Sequence, residues 1–222
     1  AERAMREVLE QHLPEHGILG EEYGETRPGA RFTWVLDPID GTKAFITGRP
    51  IYGSLVALID QEQGGRPVIG LISQPTLGER WIGVTGRPTR FTGPFGGSPT
   101  PRTRLCPNLA DAEYAATGPD LGAPDDRARS DRIAARARTR SWGGDCYIHG
   151  LLAFGLIDLI VESGYKIWDW SALVPVVEGA GGRITDWQGR PLDASSDGTI
   201  LAAGDPSLHD QVLALLGSEA ES

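Results

Sequence analysis

Cysteine is nearly absent: of 222 residues only Cys106 and Cys146 carry a thiol, far apart and in no C-x-x-C arrangement. That excludes a disulfide framework and a cysteine–zinc site, and it suits a reducing compartment. Long apolar runs are missing too. The best candidate, residues 151–161, is interrupted by Gly155 and Asp158 and falls short of the roughly 18–20 residues that span a bilayer. No apolar segment follows residues 1–6, so no signal peptide is expected, and a cytoplasmic protein with no membrane partner is the default. Base is in deficit. Twenty-one Lys and Arg against 30 Asp and Glu give a formal net charge of −9. This argues against a nucleic-acid partner, which needs a basic face, and fits a chain that spends carboxylates on cations. The four histidines, His12, His16, His149 and His209, show no H-E-x-x-H or paired zinc spacing. There is no G-x-S-x-G elbow and no P-loop. Gly96-Gly97-Ser98 lacks a following Lys and reads as flexible loop.

What remains is globular in texture, 40% hydrophobic and 23% charged, and long enough for one large domain or two small intimate ones. Residues 1–13 read as an amphipathic helix with Ala4, Met5, Val8, Leu9 and His12 on one stripe, stopped by Pro14. Strands are expected at 33–36, ending at Asp37-Pro38, and at 51–59, 68–73 and 80–84, with a hairpin connection at 74–78. Strands in succession without helices suggest an antiparallel sheet. Residues 86–108 read as loop with one short strand at most. The alanine- and arginine-rich run 125–140 reads as an exposed helix with a solvated face. Then helix and strand alternate: a helix opening at Gly143-Gly144-Asp145 and running to about 155, a strand at 156–162 and a helix at 169–179. Strands follow at 183–186 and 199–203, and Asp205-Pro206 caps a last helix to 216.

Chemistry concentrates in Asp37-Pro38-Ile39-Asp40-Gly41-Thr42. Two aspartates follow an apolar strand, and Pro38 is expected to fix a turn that lets both carboxylates converge. Hard cations such as Mg²⁺ take oxygen ligands, including carboxylates, water and substrate phosphate. Gly41-Thr42 then begin a short helix through Phe45, whose first N–H groups suit phosphate oxygens. The plain alternative is an Asp-Pro turn followed by an aspartate N-cap. Two further pieces bear on the choice: adjacent acids in Gly20-Glu21-Glu22, and an acid in Trp168-Asp169-Trp170 ahead of an apolar segment that ends in Glu178-Gly179-Ala180-Gly181-Gly182. Taken alone, Asp169 reads as an N-cap.

In this combination and order, G-E-E, D-P-I-D-G-T and W-D-x-x-A…E-G-A-G-G, the chain resembles the inositol monophosphatase superfamily of Mg²⁺-dependent, lithium-sensitive phosphomonoesterases. The resemblance runs from Ala1 to about Leu216. It implies a layered α-β-α-β-α sugar-phosphatase fold, α/β in class. Residues 1–109 would hold a large antiparallel sheet with most metal ligands, residues 110–222 a smaller mixed sheet with helices, and the site would lie between them. It further implies a homodimer, two or three Mg²⁺ per site, and a small phosphorylated substrate. By resemblance Glu21, Asp37, the Ile39 carbonyl, Asp40 and Asp169 are metal ligands, Glu22 being a neighbour without an assigned role. Gly41 and Thr42 would bind phosphate. Glu21 and the Thr42 hydroxyl would serve catalysis, Thr42 by orienting the attacking water. Glu162 matches the acid that binds a substrate hydroxyl. The family's T-x-A-D segment, whose Asp assists the Thr, would fall just before Ala1, so the given chain is expected to lack residues at that end.

For the ester, Gly41-Thr42-Lys43-Ala44-Phe45-Ile46-Thr47-Gly48-Arg49-Pro50 is similar to the histidinol-phosphatase branch, as are Gln74-Pro75, Gly78-Glu79-Arg80-Trp81 and Gly143-Gly144-Asp145-Cys146-Tyr147. Histidinol phosphate carries an amine and an imidazole, and Asp145 and Glu162, with Gly144, are suitable substrate-binding partners. A helix-terminal acid is the plain reading of Asp145. Lys43 is equally at home in nucleotide bisphosphate phosphatases. An inositol-1-phosphatase, a broad sugar or nucleotide phosphatase, and a catalytically impaired binding member are the alternatives.

Overall fold

The computed structural model describes residues 1–94, 99–119 and 122–218; Gly96-Gly97-Ser98 lies outside the described residues. Helix α1 (Glu2–His12) ends before Pro14 but does not dock by its apolar stripe. Its buried residues are Glu2 and Arg6, whereas Ala4 is exposed and Val8 is 58% exposed. Strands β1 (Gly17–Gly20) and β2 (Gly24–Thr26) form a small hairpin, and β3 (Phe32–Asp40) lies parallel to β1. After the short helix α2 (Thr42–Ile46) come β4 (Gly53–Asp60), β5 (Arg66–Gln74), β6 (Glu79–Val84) and β7 (Arg87–Thr92), each antiparallel to the one before. The resulting seven-stranded sheet has the order β2-β1-β3-β4-β5-β6-β7 and is antiparallel apart from the β1–β3 pair. β3 is longer than expected. It continues through Asp37-Pro38 to Asp40 because β4 pairs with it on both sides of the proline.

The second half supplies β8 (Glu113–Ala116), α3 (Pro124–Ala134), β9 (Thr139–Trp142), α4 (Cys146–Ala153), β10 (Leu159–Glu162), α5 (Ile167–Trp170), α6 (Leu173–Gly179), β11 (Arg183–Thr185), β12 (Ile200–Ala203) and α7 (Pro206–Ser218). Five strands in the order β11-β12-β10-β8-β9 make a mixed sheet, with β8 parallel to both β10 and β9. Three expectations are corrected here. The helix over 125–140 stops at Ala134, since residues 139–142 gain more by pairing with β8. The strand expected from 156 begins at Leu159, after Gly155 takes a φ of 69° and turns the chain. The helix over 169–179 is two helices. Pro175 has no N–H to donate to the Ser171 carbonyl, so the hydrogen-bond ladder breaks there, and Pro175 sits in the first turn of α6 where a proline is tolerated.

The layers follow from strand alternation. On β10, Ile160 faces α4 and α6 in a core shared with Val35, Leu55 and Ile72 of the large sheet, while Leu159 and Val161 face α3 and α7 beside Leu208 and Val212. The order is thus α1, large sheet, α4–α6, small sheet, α3 with α7, the layered α/β fold expected from the resemblance. Helix α6 lies almost on the backbone of the large sheet, so close that a Cβ on Gly83 would overlap the Pro175 main chain. Among the described residues no helix is long and apolar enough to cross a membrane.

Candidate active site

The end of β3 builds the site. In a regular strand residues three apart face opposite sides. Here Asp37 pairs with Leu55 and Asp40 with Gly53, so three steps on β3 oppose two on β4. That one-residue bulge puts the two aspartates on the same side. Pro38 suits the bulge because it needs no partner for an N–H, and its carbonyl accepts from Ser54 Oγ at 2.8 Å. The feature predicted as a turn is therefore a bulged strand. Asp169, from α5, completes the cluster: one carboxylate oxygen each from Asp37, Asp40 and Asp169 lie within 4.8 Å of one another.

Three acids this close, Asp37 buried and the other two half-buried, resist ionisation. Burial, then Asp40, Glu21 and Asp169, push Asp37 up to about 9. Burial is also the leading cause for Asp40, pushed to about 7, and for Asp169, pushed to about 6. Each is held in place by main-chain donors. The Ile39 amide donates to Asp37 Oδ1 at 3.0 Å, the Cys146 amide at the start of α4 to Asp40 Oδ2 at 2.6 Å, and the Lys166 amide to Asp169 Oδ2 at 2.6 Å. Asp169 is not the N-cap of the plain reading: Lys166 holds that position, and Asp169, in the first turn of α5, reaches back to its amide while still presenting a carboxylate oxygen to the cluster. The donor set is all oxygen and carries excess negative charge, which suits a hard divalent cation. Glu21 is exposed on the turn after β1, outside the tight trio, but near enough for its charge to raise Asp37 and Asp169.

Gly41 follows with φ 82° and ψ 45°, a left-handed conformation that swings the chain into α2. Thr42 Oγ1 donates to the Ile39 carbonyl at 3.3 Å. Beside them opens a cavity of about 220 Å³ lined by Gly41, Thr42, Lys43, Arg49, Thr117, Gly118, Gly143 and Asp145. Asp145 precedes α4 yet makes no side-chain cap, and its backbone has φ 45° and ψ −129°, unusual for a residue with a Cβ. The carboxylate goes to the cavity instead, where burial raises its pKa and Arg49 and Lys43 oppose the rise. Gly41, Thr42 and Asp145 are therefore brought together, whereas Gly144 and Glu162 are not among the residues lining this cavity. Glu162 ends β10 behind Thr117, whose amide donates to its Oε1; its Oε2 is buried without a protein partner. Burial pushes Glu162 to about 7.

Lys43, Arg49, Thr117 and Gly118 line the cavity without a site role predicted from the sequence. A cation a few residues beyond a phosphate-binding turn was the available signal for the first two. The other two lie on a stretch without pattern, brought in by β8 pairing beside β9.

Residues 1–221 match the model of the inositol monophosphatase family. The chain belongs to that family. It is 36% identical over 229 residues to a histidinol-phosphatase of Streptomyces coelicolor, covering 97% of this chain and 82% of that one. It is 45% identical over 222 residues to the bifunctional phosphatase IMPL2, chloroplastic, of Arabidopsis thaliana, covering 96% of this chain but only 62% of the plant protein's length. A solved inositol monophosphatase from Zymomonas mobilis superposes with a TM-score of 0.89 at 49% identity, covering 97% of this chain and 81% of that one. The acidic cluster lies on the two segments, D-P-I-D-G-T and W-D, that carry the resemblance, and the neighbouring cavity is lined from residues 41–49, 117–118 and 143–145.

Proposed function

We propose that this family member is a Mg²⁺-dependent phosphomonoesterase acting on L-histidinol phosphate, releasing L-histidinol and phosphate. The observation that carries the reading is the adjacency of two things: a trio of carboxylates able to hold divalent cations, and a cavity that presents both Lys43 and Arg49 and the acid Asp145. Such a mixed lining suits a substrate with an anionic and a cationic end.

In this reading Asp37, Asp40, Asp169, Glu21 and the Ile39 carbonyl hold the metal ions, two or three in number. When bound, Mg²⁺ supplies Lewis acidity, polarising the phosphate and making water more acidic. Gly41 and Thr42 amides hold phosphate oxygens, and the Thr42 hydroxyl orients the water. The water oxygen forms a bond to phosphorus as the ester P–O bond breaks. The alcohol leaves with a proton, and no covalent enzyme intermediate forms. Asp145 engages the amine and imidazole end, and Gly144 and Glu162, outside the cavity lining, support that end from behind. The reading includes a homodimer in a compartment such as the cytoplasm that keeps thiols reduced; both cysteines are free.

A second substrate, inositol 1-phosphate, is favoured by the 49% identity to the Zymomonas mobilis protein. The test is kcat/KM for both esters, side by side at saturating Mg²⁺. Asp145→Asn should lower kcat/KM for histidinol phosphate by roughly ten- to a hundredfold, the worth of one charge-assisted hydrogen bond, and affect a neutral-headed ester less. A higher kcat/KM for inositol 1-phosphate would overturn the histidinol assignment. Equal losses on both esters would place Asp145 in general site architecture.

A further inference from the structure

Helix α1 is docked through charge, and that docking leads to the active-site turn. Glu2 is completely buried, at 0% exposure, and Arg6 stands one turn later at 9%. Arg6 Nε donates to Glu2 Oε1 at 2.7 Å. The other carboxylate oxygen, Oε2, accepts the backbone N–H of Glu22 at 2.9 Å. The Arg6 fork continues past the turn, Nη2 to the Gly24 carbonyl at 2.5 Å and Nη1 to Thr26 Oγ1 at 3.1 Å. The seat is shaped for the carboxylate: a Cβ on Gly20 would overlap it. These bonds grip the main chain on the far side of Glu21. On the near side, the Glu21 amide donates to the Leu36 carbonyl at 3.1 Å, one residue before Asp37.

We propose that Glu2 and Arg6 are positioning residues for Glu21, holding the acid-bearing turn so that the Glu21 carboxylate contributes to cation binding beside Asp37 and Asp169. The proposal rests on the reading of the aspartate cluster as a cation site. A buried ion pair adds little stability over well-packed apolar groups, so anchoring a helix does not by itself call for one. Directed bonds to a backbone amide, a carbonyl and a hydroxyl across one turn are what apolar side chains cannot provide. Groups that orient metal ligands from behind typically change metal affinity by about 10–100-fold when removed.

The experiment measures Mn²⁺ affinity by calorimetry, with no substrate present, and the Mg²⁺ concentration for half-maximal phosphatase activity, using the full chain. Glu2→Ala should weaken both by about tenfold while kcat at saturating Mg²⁺ and the KM for the ester stay close to wild type. Arg6→Lys, a milder change that keeps charge but loses the fork, should weaken Mn²⁺ by less and serves if Glu2→Ala does not fold. In a Glu21→Ala background, Glu2→Ala should cost little more, because both act through one carboxylate. Unchanged Mn²⁺ affinity in folded Glu2→Ala and Arg6→Lys, or a loss fully additive with Glu21→Ala, would overturn the proposal. Wild-type Mn²⁺ affinity in Asp37→Asn would instead remove the cation site itself, and this proposal with it.

Discussion

Gly41 has little freedom to vary. Its left-handed φ of 82° costs a residue with a Cβ about 1–2 kcal/mol, and that Cβ would stand 2.7 Å from Asp145 Oδ2. Gly41→Ala should displace Asp145 from the cavity and lower kcat/KM by at least about tenfold, with far-UV circular dichroism unchanged. Wild-type kinetics in this variant would dissociate Asp145 from the reaction. The aspartates themselves were legible in the sequence as acids after an apolar strand. Their convergence comes from a bulge in paired strands, which does what a proline turn was expected to do. The orientation of Asp145 was not legible, because it depends on a positive φ fixed by Gly143 and Gly144 before it and by β9 behind them. The burial of Glu2 and Arg6 was likewise hidden, because an i,i+4 charge pair on an amphipathic helix ordinarily faces water.

At the scale of elements, α6 packs closely on the large sheet, with Gly83 against the Pro175 main chain. Gly83→Ala must push α6 away or bend β6, and overpacking of this kind costs about 1–3 kcal/mol. That should lower Tm by roughly 2–4 °C per kcal/mol, read by calorimetry. Since α5 precedes α6 and carries Asp169, Mg²⁺ half-saturation should rise with it; a fall in Tm with unaltered half-saturation would show that α5 is held independently. Helix α1 was legible from periodicity, β4 and β5 from apolar strand-forming runs between turns, and α7 from its Asp205-Pro206 start. β9 was not. Its four residues are exposed, and their extended state comes from pairing with β8 rather than from local preference. The split between α5 and α6 was written in Pro175, but the apolar run around it masked the break.

For the whole molecule, the acidic cluster makes stability depend on pH and metal together. In the metal-free protein Asp37, Asp40 and Asp169 have raised pKa values of about 9, 7 and 6. A raised folded-state carboxylate contributes stability that is complete below the unfolded value and is lost as pH rises through the folded one. With EDTA, Tm should therefore fall between about pH 5 and pH 9 on account of this cluster. Mg²⁺ needs the ionised carboxylates, so its stabilising effect should grow over the same range. A Mg²⁺-induced shift in Tm that is equal at both ends of the range would contradict this assignment of charge. The central claim, that Asp37, Asp40 and Asp169 hold the cations on which turnover depends, is tested most directly by phosphate release from L-histidinol phosphate during a Mg²⁺ titration of wild type, Asp37→Asn and Asp40→Asn. The account predicts saturable Mg²⁺ dependence in wild type, none left with EDTA, and turnover abolished in both variants. A near wild-type rate in either variant, or turnover indifferent to EDTA, would contradict it.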